Sequence, residues 1–123
     1  MACRISVIED QGFVILEYNG DIKRNEALKD FLKAYETGRE KGIKKFLINL
    51  NDSKNADTAV NTYQFAYEDL GNPAFDKTIT VALLVSPDNR THDFSETVLI
   101  NSGLNARLFR DYKKAVKYLK KAE

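Results

Sequence analysis

Ile79-Thr80-Val81-Ala82-Leu83-Leu84-Val85 is β-branched or aliphatic throughout and is stopped by Ser86-Pro87-Asp88. A strand with one face in water alternates apolar with polar residues, so a strand without that alternation is covered on both faces. Such strands belong to parallel sheets lying between helices, and the flanking sequence agrees. Upstream, Phe46-Leu47-Ile48-Asn49-Leu50 is a second short apolar run. Before it, Leu28, Phe31, Leu32 and Tyr35 fall at i, i+3, i+4 and i+7, which predicts a helix from Asn25 to Lys41 with Gly42 as its stop. Nearer the N-terminus, Phe13-Val14-Ile15-Leu16-Glu17-Tyr18 is almost continuously apolar and ends at Asn19-Gly20-Asp21. The looser alternation from Arg4 to Ile8 precedes it across the turn Glu9-Asp10-Gln11-Gly12, which makes an antiparallel hairpin with the first strand near an edge.

Between the two apolar runs, a helix starting near Asp57 is predicted, with Val60, Tyr63, Tyr67 and Leu70 as its stripe and Gly71-Asn72-Pro73 as its end. After Pro87, residues Asp88 to Asp93 lead into a helix carrying Phe94, Val98 and Leu99 and closed by Gly103. Ala106-Arg107-Leu108-Phe109 forms a last short strand, and Asp111 caps a helix whose stripe is Tyr112, Ala115, Val116 and Leu119. The expected fold class is therefore α/β in the order ββαβαβαβα, a mixed, mostly parallel five-stranded sheet flanked by four helices. Only the first strand runs antiparallel, and residues 1–123 form a single domain.

Composition narrows the function by subtraction. Hydrophobic residues at 43% and charged residues at 30% exclude the disordered regime. One Cys forms no internal disulfide, and one Cys with one His cannot close a four-ligand zinc site. The N-terminus lacks a basic segment ahead of a long apolar core, and no transmembrane segment is expected, so the expected setting is cytoplasmic. A net charge of +1 provides no global field for nucleic acid, and none is expected as partner. That total hides an asymmetry. Residues 105–123 hold seven Lys and Arg against Asp111 and Glu123, a local excess of five positive charges over a stretch that ends in a basic amphipathic helix. The rest of the chain is net acidic. The terminal helix reads either as a solvated face or as a weak contact for an acidic partner or an anionic membrane surface.

In an open α/β sheet, ligands and partners meet the loops at the carboxyl ends of the parallel strands. Asn19-Gly20-Asp21, the loop from Asn51 to Thr58, the segment from Ser86 to His92, and Arg110-Asp111 converge there, all polar and rich in turn-forming residues. The Asn51 to Thr58 loop is longer than a strand-to-helix connection needs, which singles it out. Candidate partner- or ligand-binding residues are Asp52, Ser53, Asn55, Asp57, Ser86, Asp88, Arg90 and His92. His92, between Arg90 and Asp93 at a helix start, is expected in solvent or in a capping role. Cys3 reads as an inert small hydrophobe rather than as a nucleophile paired with His92. No G-x-S-x-G, P-loop or G-x-G-x-x-G pattern is present, and neither catalysis, metal nor cofactor is expected.

The run Tyr18-Asn19-Gly20-Asp21-Ile22, the helix ending in Gly42, the strand Phe46 to Leu50 and the loop closing on Asp57-Thr58 together resemble the STAS domain, named for sulfate transporters and anti-sigma-factor antagonists. The closing stretch from Ala106 to Ala115 is similar to the end of stand-alone bacterial STAS-like proteins, which are related in fold to CRAL-TRIO lipid-binding domains. The resemblance implies a regulatory module that binds a kinase-like or other signalling protein through the loop before the second helix. It also places Thr58 at the family's phosphoacceptor position and Asp57 at the aspartate before it. Ala59 and Val60 stand where the family has Ser-Gly, so Asp57 and Thr58 also fit a plain helix-capping role. Three readings stay open: a protein-binding regulatory or adaptor module; a module holding a nucleotide, anion or lipid against the aromatic helix of Tyr63, Phe65 and Tyr67; and an enzyme using Asp52, Asp88 and His92. Self-association into a homodimer is compatible with each.

Overall fold

The structure, a computed structural model, describes residues 2–55, 78–88, 90, 92–101 and 104–121. Within them the chain runs β1 (Ala2–Ile8), β2 (Phe13–Ile22), α1 (Arg24–Glu40), β3 (Lys45–Asn55), β4 (Thr80–Leu84), α2 (Asp93–Asn101), β5 (Asn105–Phe109) and α3 (Tyr112–Lys121). The strands form one mixed sheet in the order β1-β2-β3-β4-β5. Strand β1 runs antiparallel to β2, and every other neighbouring pair is parallel. The helix expected between Asp57 and Leu70, with its aromatic residues Tyr63, Phe65 and Tyr67, lies outside the described residues.

Strand β4 accounts for its own composition. All of its residues are buried, with Val81 and Leu83 packed into one core and Ala82 and Leu84 into another. The first core lies between the sheet and helices α1 and α2, where Val14, Leu16 and Phe46 meet Phe31, Ala34 and Leu99. The second lies beneath α3, where Phe13, Leu47, Ala82 and Leu84 meet Ala115 and Leu119. Period-two alternation along the strands thus feeds two layers of helix at once. Helix α3 is further fixed by Tyr118, whose ring lies 5.2 Å from that of Phe109 and whose hydroxyl donates to Asn105 Oδ1 at 2.7 Å. No helix among the described residues is long and apolar enough to cross a membrane.

Two helix ends obey local rules. Gly42 takes φ +69°, and the amides of Gly42 and Ile43 close back on the carbonyls of Arg39 and Gly38, the six-residue wrap that ends a helix on a left-handed glycine. Asp111 Oδ1 accepts the Lys113 amide at 2.8 Å, an N-terminal cap. The helix faces need correction. Leu32 is 40% exposed and Tyr112 is 47% exposed, so neither belongs to its expected stripe. The buried seam of α1 runs through Phe31, Ala34 and Gly38 instead, because Gly38 lets the helix approach β3 so closely that an added Cβ would lie 3.0 Å from Phe46 Cζ. Close approach there turns the seam away from Leu32.

Candidate functional site

The expected loop from Asn51 to Thr58 begins as a strand. Strand β3 continues to Asn55 alongside β2, which itself passes through Asn19-Gly20-Asp21 to Ile22 rather than ending there. Polar residues form strand here because the ladder of backbone hydrogen bonds to a neighbour is indifferent to side-chain polarity. Strand β4 pairs with β3 only as far as Asn49, so the last part of the β2–β3 pair projects past it as a two-stranded ribbon at the carboxyl edge of the sheet.

A bulge sets what that ribbon shows. Pairing runs Glu17↔Asn49 and resumes at Asn19↔Asp52, so β3 inserts one extra residue, and the Asn51 amide donates to Asn49 Oδ1 at 3.1 Å. Before the bulge, Phe46 and Leu50 face the α1–α2 side; after it the phase shifts, and Ser53 takes that side opposite Gly20. Ser53 is 4% exposed. Its hydroxyl donates to the Leu50 carbonyl at 3.1 Å and lies 3.4 Å from His92 Nε2.

His92 departs from expectation: it is 3% exposed and sits under the ribbon rather than in solvent. Its carbonyl accepts the Glu96 amide, so the residue also opens α2. Burial pushes the imidazole pKa below its ordinary 6.5, against the opposing pull of a hydrogen bond to the Ser53 backbone and the nearby Asp93 carboxylate. The ring is therefore neutral at neutral pH and ties the start of α2 to the ribbon. With both side chains covered, the Ser53–His92 pair acts as a buttress beneath the ribbon.

Around that buttress lie the remaining candidates. Asp52 and Asp88 are exposed, and Ser86 is partly buried at the end of β4. Arg90 is exposed and lies 3.8 Å from Asp93, whose other oxygen pairs with Arg110 at 3.0 Å. Asn55 pairs through its backbone with Ile22. Asp57 and Thr58 lie outside the described residues. Among the described residues, no three His, Cys, Asp or Glu side chains are placed to hold a metal ion.

Sequence reasoning passed over Glu96, whose Oε2 accepts the Leu108 amide at 2.6 Å. Strand β5 is the sheet's outer edge, and this carboxylate satisfies an outward amide there. An acidic residue in a first helical turn looks like dipole complementation, which conceals such a role. Cys3 and His92 do not meet: Cys3 pairs across the hairpin with Tyr18, while His92 engages Ser53. Burial, then the Asp30 carboxylate, push the Cys3 thiol up to about 11, against a hydrogen bond with Tyr18 and the charge of Lys33.

No protein-family model, curated protein or solved structure matches this chain. Its residues and their geometry therefore carry the functional argument.

Proposed function

We propose that the chain is a non-enzymatic regulatory or adaptor module of STAS type, which recognises a protein partner at the carboxyl edge of its sheet. The projecting β2–β3 ribbon carries this reading: it holds Asp52 exposed beyond the end of β4, on a segment whose underside is anchored by Ser53 and His92. A rigid ribbon that offers a charge loses little conformational entropy on docking, which favours recognition. Asp88 and Arg90, both exposed on the connection between β4 and α2, extend the same edge with charges of both signs. Such a mixed rim gives specificity and register more than raw affinity. Thr58 is the phosphoacceptor in this reading: a phosphate would add about −2 charge and switch the partner off.

The test is affinity capture from the source cell with the wild-type chain, Asp52→Lys, Asp88→Lys and Thr58→Asp as baits, each with an unchanged circular dichroism spectrum. One protein should be enriched by the wild type and depleted by all three variants. A partner that all three retain undiminished removes the edge from consideration.

A further inference from the structure

Helix α3 carries a second surface, on the opposite face of the sheet from α1 and α2. Its sequence, Tyr112-Lys113-Lys114-Ala115-Val116-Lys117-Tyr118-Leu119-Lys120-Lys121, contains five lysines and no carboxylate. Ala115 and Leu119 are spent on the core beneath, so the lysines lie on the outward side. Two features of that arrangement work against the helix. Lys113 and Lys114 stand in the first turn, at the positive end of the helix dipole, where an acid would be favoured. Lys113, Lys117 and Lys121 follow one another at i+4, where like charges repel. No ion pair among the described residues engages Lys113, Lys117, Lys120 or Lys121. Lys120 and Lys121 in the last turn suit the dipole and Asp111 caps the first turn, but the i+4 row of lysines is left uncompensated within the helix, a conflict that an anionic occupant would relieve.

The surface forms a shallow, open depression. A groove of about 510 Å³ runs along α3, with Lys113, Lys117, Lys120 and Lys121 on its walls, Tyr112 and Val116 as its apolar part, and Gln11 reaching in from the β1–β2 turn. We propose that this groove docks an acidic protein segment, whose carboxylates pair with the lysines while one of its apolar side chains rests on Tyr112 and Val116. A peptide chain is favoured over a membrane because Tyr112, 47% exposed, is the one large apolar side chain that the described part of α3 leaves open, too little to anchor in lipid. The helix also keeps no further apolar face for insertion between lipids, since Ala115 and Leu119 are already buried. Of the two carboxylates in the β1–β2 turn, Glu9 is held by Lys41 at 2.9 Å and Asp10 is absent from the groove's lining.

The probe is a fluorescein-labelled peptide of about twelve residues, mostly glutamate and aspartate with two leucines and one phenylalanine, followed by fluorescence polarisation. Lys117→Glu, on the groove wall, should weaken binding roughly fivefold, and Lys114→Glu, on the same helix but outside the groove, less than about twofold. Tyr112→Ala should weaken it as well, and all three variants should keep the wild-type circular dichroism spectrum. Added salt should lower the affinity, because the lysines are solvent-exposed. The proposal is overturned if the peptide does not bind, or if Lys114→Glu and Lys117→Glu weaken it equally. It is likewise overturned if the protein sediments with phosphatidylserine vesicles, or binds a single-stranded oligonucleotide, while the peptide stays free.

Discussion

Replacing Ser53 with Ala removes a hydroxyl that is almost fully buried and that, among the described residues, meets the Leu50 carbonyl and His92 Nε2. The 3.1 Å bond is of ordinary length and the 3.4 Å contact is long, so together they are worth less than two full hydrogen bonds. Losing them, with a buried ring nitrogen left short of a partner, should cost about 1–2 kcal/mol. His92→Phe should cost a similar amount, about 1–2 kcal/mol, because the ring volume is kept and the polar contacts are not. Once His92 is gone, Ser53 has less to lose, so the double variant should fall short of the sum by about 0.5–1 kcal/mol. The pH dependence adds a second signature. The folded-state pKa of His92 lies below 6.5, so the unfolded chain takes up the proton first as the pH falls. Its contribution is fully present above 6.5 and is lost as the pH drops from there through the folded value; His92→Phe should remove that slope. Urea unfolding of the four proteins, followed by circular dichroism at about pH 7.5 and about pH 5.5, measures both effects. Additivity of the two substitutions together with equal pH slopes for wild type and His92→Phe would refute the buttress.

Gly38→Ala tests the close approach of α1 to β3. In an open helix the change would stabilise by about 0.5–1 kcal/mol. Here the new Cβ would meet the Ile43 carbonyl oxygen at 2.9 Å and Phe46 Cζ at 3.0 Å. The sign should therefore reverse to a loss of about 1–3 kcal/mol, and a rise in the urea midpoint would show that the helix sits further from the strand. Cys3, with its thiol pushed up to about 11, should react with a disulfide reagent at about pH 8 roughly ten- to a hundredfold more slowly than glutathione. Because the protonated thiol is the form favoured by folding, its contribution to stability is present below 9.0 and is lost as the pH rises through about 11. Labelling as fast as that of free glutathione would contradict the half-buried placement against Tyr18.

What could be read directly from residue order is local. The apolar run at Ile79 to Val85, the left-handed stop at Gly42 and the cap at Asp111 are settled by side chains and amides only a few positions apart, and all three stand as expected. The α/β class and the antiparallel first strand follow from the same short-range periodicities. Candidate residues were legible only as a set. Ser53 and His92 were both singled out, but their contact spans 39 positions and depends on a bulge that no residue type announces.

Tertiary structure decided the rest. Asn51 to Asn55 carry no apolar alternation, and they become strand only because the extended edge of β2 offers its free backbone groups beside them. Leu32 and Tyr112 match their helical stripes in spacing, yet they are exposed, because spacing does not fix how far the buried face of a helix reaches. His92, a polar residue in a polar stretch, is buried because the ribbon lies over it. Sequence by itself determined which segments could pair and which faces were apolar. Only the assembled sheet decided how far each strand runs and which polar side chains it covers, because burial belongs to a residue's neighbours in space rather than to its neighbours in the chain.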